Sequence, residues 1–411
     1  MTCGERAEQP GGAPTSTVIG PRSDSGTDGW QSDHMRIVIA PDSFKESMTA
    51  PEAAAAMARG VRRVAPEAEC TLMPMADGGE GTTEALIAAL GAQRREVTAR
   101  DPLGRPVTAS YGLTGDGLAV LEVAAAIGIG LVEPSERDVM RSDSGGVADL
   151  VLDALDAGAN RLLVGLGGSA TTDGGAGLLA GLGVRLLDVS GADIAATPAG
   201  LAELASVDIS GLEPRLTGLR IDLASDVTNP LLGRLGSAAV FGPQKGATAA
   251  QVPVLDGLLA RLADALVAAG LPDVRHLPGA GAAGGLGMAF LTLGAQLRPG
   301  VEVVAEATGL DRVVEGADLV LTGEGALDAQ TAAGKTPAGV LTVARRHAVP
   351  VIAFAGRLGP GIDGLGFAAC VRIVGEAVDL ATALREGPSN LEQAVAAAVG
   401  DWLSGGFGDQ R

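Results

Sequence analysis

The chain has 411 residues, of which 46% are hydrophobic and 19% charged. It is therefore long enough for two domains and too apolar for a disordered or coiled-coil protein. A net charge of −19 without a basic patch argues against nucleic-acid binding, which needs cations to neutralise phosphates. The three cysteines are scattered, which excludes a disulfide framework or a cysteine metal site and favours a reducing, cytoplasmic compartment.

Neither a signal peptide nor a membrane span is expected. The first 34 residues are rich in Gly, Ser, Pro and Asp and hold no apolar segment. We therefore expect residues 1–34 to be a disordered extension, or Met35 to be the natural start. The longest apolar run, 118–132, has about 15 residues and contains Glu122, whereas a membrane-spanning helix needs about 20 apolar residues.

From residue 35 onward, predicted strands and helices alternate, which is typical of an α/β fold with a parallel sheet. A strand at 36–40 precedes a helix that opens with a Thr49–Glu52 capping box, and a strand at 70–75 completes a βαβ unit. The segment 96–123 has short alternating runs and turn sequences, which predict an antiparallel meander. The later predicted elements are helices at 145–157, 175–182 and 252–269, strands at 161–166, 184–188, 220–225, 317–323, 350–356 and 369–374, and a helix after Ser389.

Loops with glycine or proline and a charged residue follow most of the predicted strands. They lie at 41–45, 76–82, 165–177, 225–230, 242–248 and 322–337. Because ligands of open α/β sheets bind beyond the carboxyl ends of the strands, these loops are expected to converge on one crevice. Glycine lets backbone N–H groups approach an anion, and acids nearby suit a divalent cation or proton removal from a hydroxyl.

Two segments are similar to nucleotide-binding motifs. The GLGGSA sequence at 165–170, with Asp188 at the end of the next strand, fits a dinucleotide fingerprint and makes a nicotinamide-dependent dehydrogenase of a small hydroxy acid the alternative function. Residues 171–175 lengthen that loop beyond the tight turn of the fingerprint, which argues against it. The AQTAAGKT sequence at 329–336 lacks the first glycine of a phosphate loop, although Lys335 could still contact a phosphate. A non-catalytic binder of small acids is a third hypothesis.

Histidine is scarce, so a general base is expected among the carboxylates. His34, His276 and His347 lie in the tail, beside a proline or at a helix end, which is typical of surface residues. The candidate acids in the loops are Asp42, Asp77, Glu80, Asp173, Asp226, Glu324 and Asp328. The few lysines, Lys45, Lys245 and Lys335, all lie in loops where a point charge can hold phosphate.

Eight ordered blocks of the sequence resemble the glycerate kinase family. They are IAPDSFKESMTAPEAAAAMARG, MADGGEGTTEAL, DPLGRPV, GLGGSATTDGGAG, SDVTNPLLG, AVFGPQKGAT, PGAGAAGGLG and LTGEGALDAQTAAGKTPAGV. The resemblance implies phosphorylation of D-glycerate to 2-phosphoglycerate with ATP and Mg²⁺, and small molecules rather than macromolecules as partners of a monomer or homodimer. Relative to the family pattern, the chain departs at 141–148, Thr172, Ser225 and Ala326, which puts substrate contacts near Ser142 and Ala326 in doubt.

The resemblance also implies two α/β domains with the active site between them. A flavodoxin-like, Rossmann-like parallel sheet with helices on both faces would comprise 35–104 and 290–405, and a mixed-sheet domain at 105–289 would be inserted in it. We interpret Asp173, then Asp77, as the general base, and Asp226, Asn229 and Glu324 as the metal ligands. The expected substrate and phosphate contacts are Asp42, Ser43, Lys45, Gly78, Gly79, Glu80, Gly167, Gly168, Ser169, Thr171, Lys245, Asp328 and Lys335.

Overall fold

The computed structural model describes residues 35–79, 81–328, 331, 335–362, 364–375 and 378–405. Its strands are β1 (Arg36–Ile39), β2 (Glu69–Leu72), β3 (Gln93–Arg100), β4 (Pro106–Leu113), β5 (Leu118–Glu122), β6 (Arg161–Gly165), β7 (Arg185–Leu187), β8 (Ser206–Asp208), β9 (Arg220–Ala224), β10 (Gln296–Arg298), β11 (Leu319–Leu327), β12 (Val351–Leu358) and β13 (Ala369–Arg372). The predicted extension at 1–34 and Glu80 lie outside the described residues.

The helices alternate with these strands over most of the chain. They are α1 (Ala50–Val64), α2 (Thr82–Leu90), α3 (Ala124–Ile127), α4 (Gly145–Asp156), α5 (Ala176–Gly181), α6 (Pro198–Leu201), α7 (Ser237–Phe241), α8 (Gln251–Ala268), α9 (Leu286–Thr292), α10 (Gly300–Thr308), α11 (Leu310–Val314), α12 (Thr336–Arg346), α13 (Leu380–Arg385) and α14 (Gly387–Leu403). None of the described helices is both long and apolar enough to cross a bilayer.

Two large sheets organise the described residues. The first has five parallel strands in the order β13-β12-β11-β1-β2. The second has the order β10-β9-β6-β5-β4-β3, in which β3, β4 and β5 pair antiparallel and the other neighbours pair parallel. This confirms the predicted α/β class with a parallel and a mixed sheet, and the antiparallel meander predicted at 96–123.

Local sequence signals explain the first helix. The Thr49 hydroxyl accepts from the Glu52 backbone N–H, and the Glu52 carboxylate accepts from the Thr49 backbone N–H, so the predicted capping box is confirmed. The buried face of α1 consists mainly of alanine, with Gly60 against α14. A β-carbon on Gly60 would lie 2.5 Å from the Glu392 carbonyl oxygen, so α1 and α14 pack closely only because this position is glycine.

A shared layer of helices joins the two sheets. One buried cluster contains Val38 and Val320 of the parallel sheet, Val120 and Leu163 of the mixed sheet, and side chains of α2, α10, α11 and α12. The side chains of both sheets thus pack on the same helices, and burial of this common apolar surface fixes the sheets relative to each other. The loop after β2 consequently lies against the carboxyl ends of β6 and β9.

Glycine makes the closest of these approaches possible. Gly78, at φ +87°, lies so near β9 that a β-carbon would be 2.5 Å from the Ala224 carbonyl oxygen. Gly300, the first residue of α10, would place a β-carbon 1.7 Å from the Asp77 carbonyl oxygen. Backbone therefore contacts backbone at the point where the loop after β2, the end of β9 and the start of α10 meet.

The predicted domain limits stay a prediction. By sheet membership, β3 and β10 belong to the mixed sheet, although the limits 35–104 and 290–405 assign both to the flavodoxin-like domain. β3 belongs to the mixed sheet because it forms a hairpin with β4, in which the two strands pair over eight residue positions. On this criterion the mixed-sheet segment runs from Gln93 to Arg298.

We expect Gly300→Ala to lower the free energy of unfolding by about 1–3 kcal/mol, because an added methyl group must push α10 away from the Asp77 carbonyl. Gly257→Ala is the matched control, since Gly257 lies exposed within α8 and a β-carbon added there would meet nothing within 4 Å. The control should be neutral or stabilising by up to about 1 kcal/mol. Equal melting temperatures for the two variants would contradict the close contact at Gly300.

Candidate active site

Four carboxylates lie in a row where the loops of the two sheets meet. Burial, and secondly the charge of Asp77, raise the pKa of Asp42 to about 6. Partial burial likewise raises the pKa of Asp226 to about 6, with the charge of Asp77 adding to it, although Asp226 is the exposed member of the four. Burial raises the pKa of Glu324 to about 7, and the charge of Asp42 contributes. The charges thus couple Glu324 to Asp42, Asp42 to Asp77 and Asp77 to Asp226, and we call these four residues the acid row.

The Asp42 carboxylate is held by the ends of two elements. The backbone N–H of Ser43 donates to Asp42 Oδ1 at 2.6 Å, and the hydroxyl of Thr336, the first residue of α12, donates to Oδ2 at 2.5 Å. The backbone N–H of Asp42 donates to the Gly323 carbonyl at 2.9 Å, which ties the loop after β1 to β11. Asp42 thus lies at the start of a helix, where partial positive charge favours an anion.

Glu324 faces the cation of Lys335. Lys335 Nζ lies 3.5 Å from Glu324 Oε2, and the Thr331 hydroxyl donates to Glu324 Oε1 at 3.1 Å. Lys335 precedes the first turn of α12 in extended conformation, so its charge lies beside the acid row. Asp328 pairs instead with Arg357 at 3.9 Å, and Lys45 is exposed on the loop after β1.

Asp77 lies in the middle of the row. Its Oδ1 accepts from the Gly79 backbone N–H at 2.9 Å, and no hydrogen bond to its Oδ2 is found among the described residues. Sequence reasoning missed Glu122, at the end of β5, whose carboxylate accepts from the backbone N–H groups of Gly81 at 3.3 Å and Thr83 at 2.6 Å. Glu122 therefore fixes the loop that carries Asp77. Its position at the carboxyl end of a strand was the signal that could have found it.

The predicted metal ligands are not brought together. The Asn229 side-chain amide donates to the Leu235 carbonyl at 2.8 Å, which closes its own loop. Asp226 Oδ1 accepts from the Gly300 backbone N–H at 3.3 Å, and neither Asp226 nor Glu324 is among the charges that shift the other's pKa. Within the described ranges, no three acidic, histidine or cysteine side chains could hold one metal ion.

Asp173 is completely buried. Its Oδ2 accepts from the Ser144 backbone N–H at 2.9 Å, the Ser144 hydroxyl at 2.7 Å and the Gly177 N–H at 3.0 Å, and its Oδ1 accepts from the Gly175 N–H at 3.1 Å. Burial raises the pKa of Asp173, and these donors oppose the rise. A base must reach the substrate hydroxyl, so this geometry does not support the predicted role of Asp173 as general base.

Lys245 is also buried, with 2% of its surface exposed. Its Nζ donates to the Ser169 hydroxyl at 2.9 Å and to the Thr171 carbonyl at 2.7 Å. Ser169 and Thr171 are buried with it, whereas Gly167 is half-buried and Gly168 exposed. The structure therefore separates the predicted contacts of this loop into an exposed part at 167–168 and a buried part around Lys245.

Comparison with known proteins identifies the family. The model of the glycerate kinase family matches residues 37–403. A glycerate kinase of Halalkalibacterium halodurans is 47% identical over 373 residues, which cover 89% of this chain and 98% of that protein. A glycerate 2-kinase of Escherichia coli K12 is 47% identical over 326 residues, covering 79% of this chain and 86% of that protein. The chain belongs to the glycerate kinase family.

A solved structure supports the same membership. The chain of a glycerate kinase 2 from Salmonella typhimurium LT2 matches with a TM-score of 0.84 at 45% identity, covering 90% of this chain and 99% of that one. As a member of the family this protein is a kinase, that is, a phosphotransferase. None of these relatives supports the dehydrogenase hypothesis, and α5 begins only at Ala176, well after the GLGGSA sequence.

The raised pKa values of this family member predict a pH dependence. A carboxyl whose pKa is higher in the folded than in the unfolded protein binds protons more tightly when folded, so it lowers stability as pH rises from about 4 towards 7. We expect Asp226→Asn, which keeps the acceptor for Gly300 and removes the charge, to raise Tm more at about pH 7.5 than at about pH 5.

Asp256→Asn is the control for this comparison. Asp256 also accepts a backbone N–H, that of Gly233 at 2.9 Å, but it lies outside the acid row. Its Tm difference from wild type should not grow with pH. Thermal melts in ligand-free buffer measure both variants, and a pH-independent effect of Asp226→Asn would contradict a raised pKa of Asp226 in the folded protein.

Proposed function

We propose that this kinase transfers the terminal phosphoryl group of ATP to the 2-hydroxyl of D-glycerate, which gives 2-phosphoglycerate and ADP. The observation that carries the proposal is the row of four carboxylates beside Lys335, at the carboxyl ends of strands from both sheets. Membership of the glycerate kinase family and the 47% identity to a glycerate 2-kinase support this substrate and this product.

Asp77 is our choice for the general base. It is half-buried in the middle of the row, and its Oδ2 is left without a hydrogen bond by the described residues. In the proposed step the glycerate 2-hydroxyl gives its proton to this oxygen and forms the new bond to phosphorus. The bond between phosphorus and the bridging oxygen breaks, and that oxygen leaves with ADP. Positioning and charge neutralisation supply most of the rate enhancement in such a transfer.

Lysine and backbone groups hold the anions in this proposal. Lys335 is half-buried next to Glu324. Its ammonium group can therefore pair with a substrate carboxylate or a phosphate that enters the site. The N-terminus of α12 can bind the same anions, because a helix N-terminus carries partial positive charge. It lies at the acid row, where the hydroxyl of its first residue, Thr336, donates to Asp42. Lys45 is exposed on the loop after β1, where it could reach the same ligands.

The residues present fit a divalent cation brought in with the nucleotide. Mg²⁺ in kinases is usually held by one or two carboxylates together with substrate phosphates and water, so it does not need the cluster of three protein ligands that the described residues lack. Asp226 is our first candidate to hold it, since only its Oδ1 is used by Gly300, and Glu324 is the second. The cation would favour the ionised carboxylates, whose pKa values are raised by burial and, secondarily, by one another's charge.

A coupled assay tests the reaction and the position of attack. We expect ADP release on addition of D-glycerate and Mg-ATP, and a direct signal when enolase is present without phosphoglycerate mutase, because enolase dehydrates only the 2-phospho isomer. NAD should neither be reduced nor stabilise the protein against heat. A signal that appears only after mutase is added would mean that the 3-hydroxyl is phosphorylated, which would contradict the proposed product.

Replacement of the base should slow the chemical step. We expect Asp77→Asn to lower kcat by about 10²–10⁴-fold without lowering Tm, since the amide keeps the acceptor for Gly79 and cannot take a proton. Asp256→Asn again serves as the control and should keep the wild-type rate. If Asp77→Asn retains a near-wild-type kcat, the proton is removed elsewhere and the assignment of Asp77 fails.

A further inference from the structure

We infer that Lys245 and Asp173 form a buried clamp that positions the glycine-rich loop 165–177 for phosphoryl transfer, and that neither side chain touches substrate. This inference rests on the proposed function, and it assigns both residues a role different from the one that the sequence predicts. Both would be positioning residues, which act through the loop.

The contacts of Lys245 are all directed into the protein. Lysine is rarely buried unless it is paired, and here the ammonium group donates to Ser169 Oγ and to the Thr171 carbonyl. The Thr171 hydroxyl is buried and has no hydrogen-bond partner in the part of the chain that the structure describes, so Lys245 holds this residue through its backbone. Two of the three N–H donors of Lys245 are therefore used on one short stretch of the loop.

Asp173 holds the other half of the loop and the helices beside it. Its four hydrogen bonds come from the residue before α4 and from the start of α5. The Ser144 hydroxyl that donates to Asp173 also accepts from the Leu178 N–H at 3.0 Å. Asp173 thus fastens the loop to α4 and α5 at once.

The two side chains are coupled by charge. Burial lowers the pKa of Lys245 to about 7, and the negative charge of Asp173 acts in the opposite direction. Hydrogen bonds hold both groups in place, and the charge of Asp173 favours the ammonium form of Lys245. Loss of one group therefore removes part of what holds the other, and the effects of the two losses are expected to be less than additive.

The loop is also closed from its far side. The Gly174 N–H donates to the Gly284 carbonyl at 2.9 Å, and a β-carbon on Gly284 would lie 1.9 Å from the Thr171 carbonyl oxygen. At its other end the loop begins at β6, where a β-carbon on Gly165 would lie 2.9 Å from the Gly78 carbonyl oxygen. The clamped loop is thus in contact with the segment that carries Asp77, and a shift of the loop would move the proposed base.

The test compares Lys245→Met with Gln244→Met, an exposed neighbour on the same turn whose side chain lies outside the clamp. We expect Lys245→Met to lower kcat by about 10–100-fold while the KM values for ATP and glycerate stay within about threefold, because a misplaced loop affects the chemical step more than binding. Amide hydrogen exchange at 166–177 should become faster in the ligand-free variant. Gln244→Met should change neither.

A double-mutant cycle separates the clamp from a general loss of stability. We expect Lys245→Met with Asp173→Asn to have a higher kcat than the two single effects combined would give, since the double variant leaves no unpaired buried charge. Ser169→Ala, which removes one acceptor and keeps both charges, is the milder variant should Lys245→Met fail to fold, and it should lower kcat in the same direction.

Three results would overturn the inference. The first is a rise of the KM for ATP or glycerate of about tenfold or more in Lys245→Met with kcat unchanged, which would show substrate contact. The second is a kcat of the double variant equal to the product of the two single effects. The third is an unchanged rate of amide hydrogen exchange at 166–177 in Lys245→Met. Failure of the proposed function would look different, because wild type would then lack glycerate kinase activity while the exchange measurement would still report on the clamp.

Discussion

The contact of Gly78 and Gly300 with neighbouring backbone sets how closely the loops of the two sheets meet. Any side chain at these positions would collide with the carbonyl groups of Ala224 and Asp77. Because the contact is so close, the first N–H of α10 reaches Asp226, and Asp77 comes near enough to Asp42 and Asp226 for their charges to interact. The shared layer of helices stabilises this contact between the loops, since residues of both sheets pack into the same core.

This geometry places four carboxylates together, and Lys335 is the cation found beside Glu324 among the described residues. The pKa values of Asp42, Asp226 and Glu324 are all raised, first by burial and then by neighbouring negative charge. Keeping these groups ionised costs stability in the free protein, and perturbed pKa values of this kind are concentrated at functional sites. A site of this charge suits a ligand that arrives with its own divalent cation, as a nucleotide does.

The elements were largely predictable from the sequence, because strand and helix patterns, the Thr49–Glu52 capping box and the loop positions depend on local chemistry. The convergence of the loops followed from the parallel sheet alone. What each loop residue does was not predictable in the same way. Asp173 and Asp77 both precede two glycines in a loop. Asp173 is nevertheless buried against the starts of α4 and α5, whereas Asp77 lies in the acid row.

The remaining differences come from contacts that only the folded chain makes. Glu122 belongs to an apolar run and becomes important only because β5 ends beside the start of α2. Asn229 turns back on its own loop, and β10 joins the mixed sheet by pairing with β9, which lies more than seventy positions earlier in the chain. The partners of Glu122 and of β10 are distant in sequence, and the Asn229 contact depends on how its own loop folds, so composition and spacing carry no signal for them.

The most direct test is a crystal structure of the chain with D-glycerate and a non-hydrolysable ATP analogue with Mg²⁺. We expect both ligands where the carboxyl ends of the two sheets meet, with glycerate near Asp77, phosphates near Lys335, and neither Lys245 nor Asp173 in contact with them. Ligands bound at the opposite edge of the sheets, or a phosphate on Lys245, would contradict it.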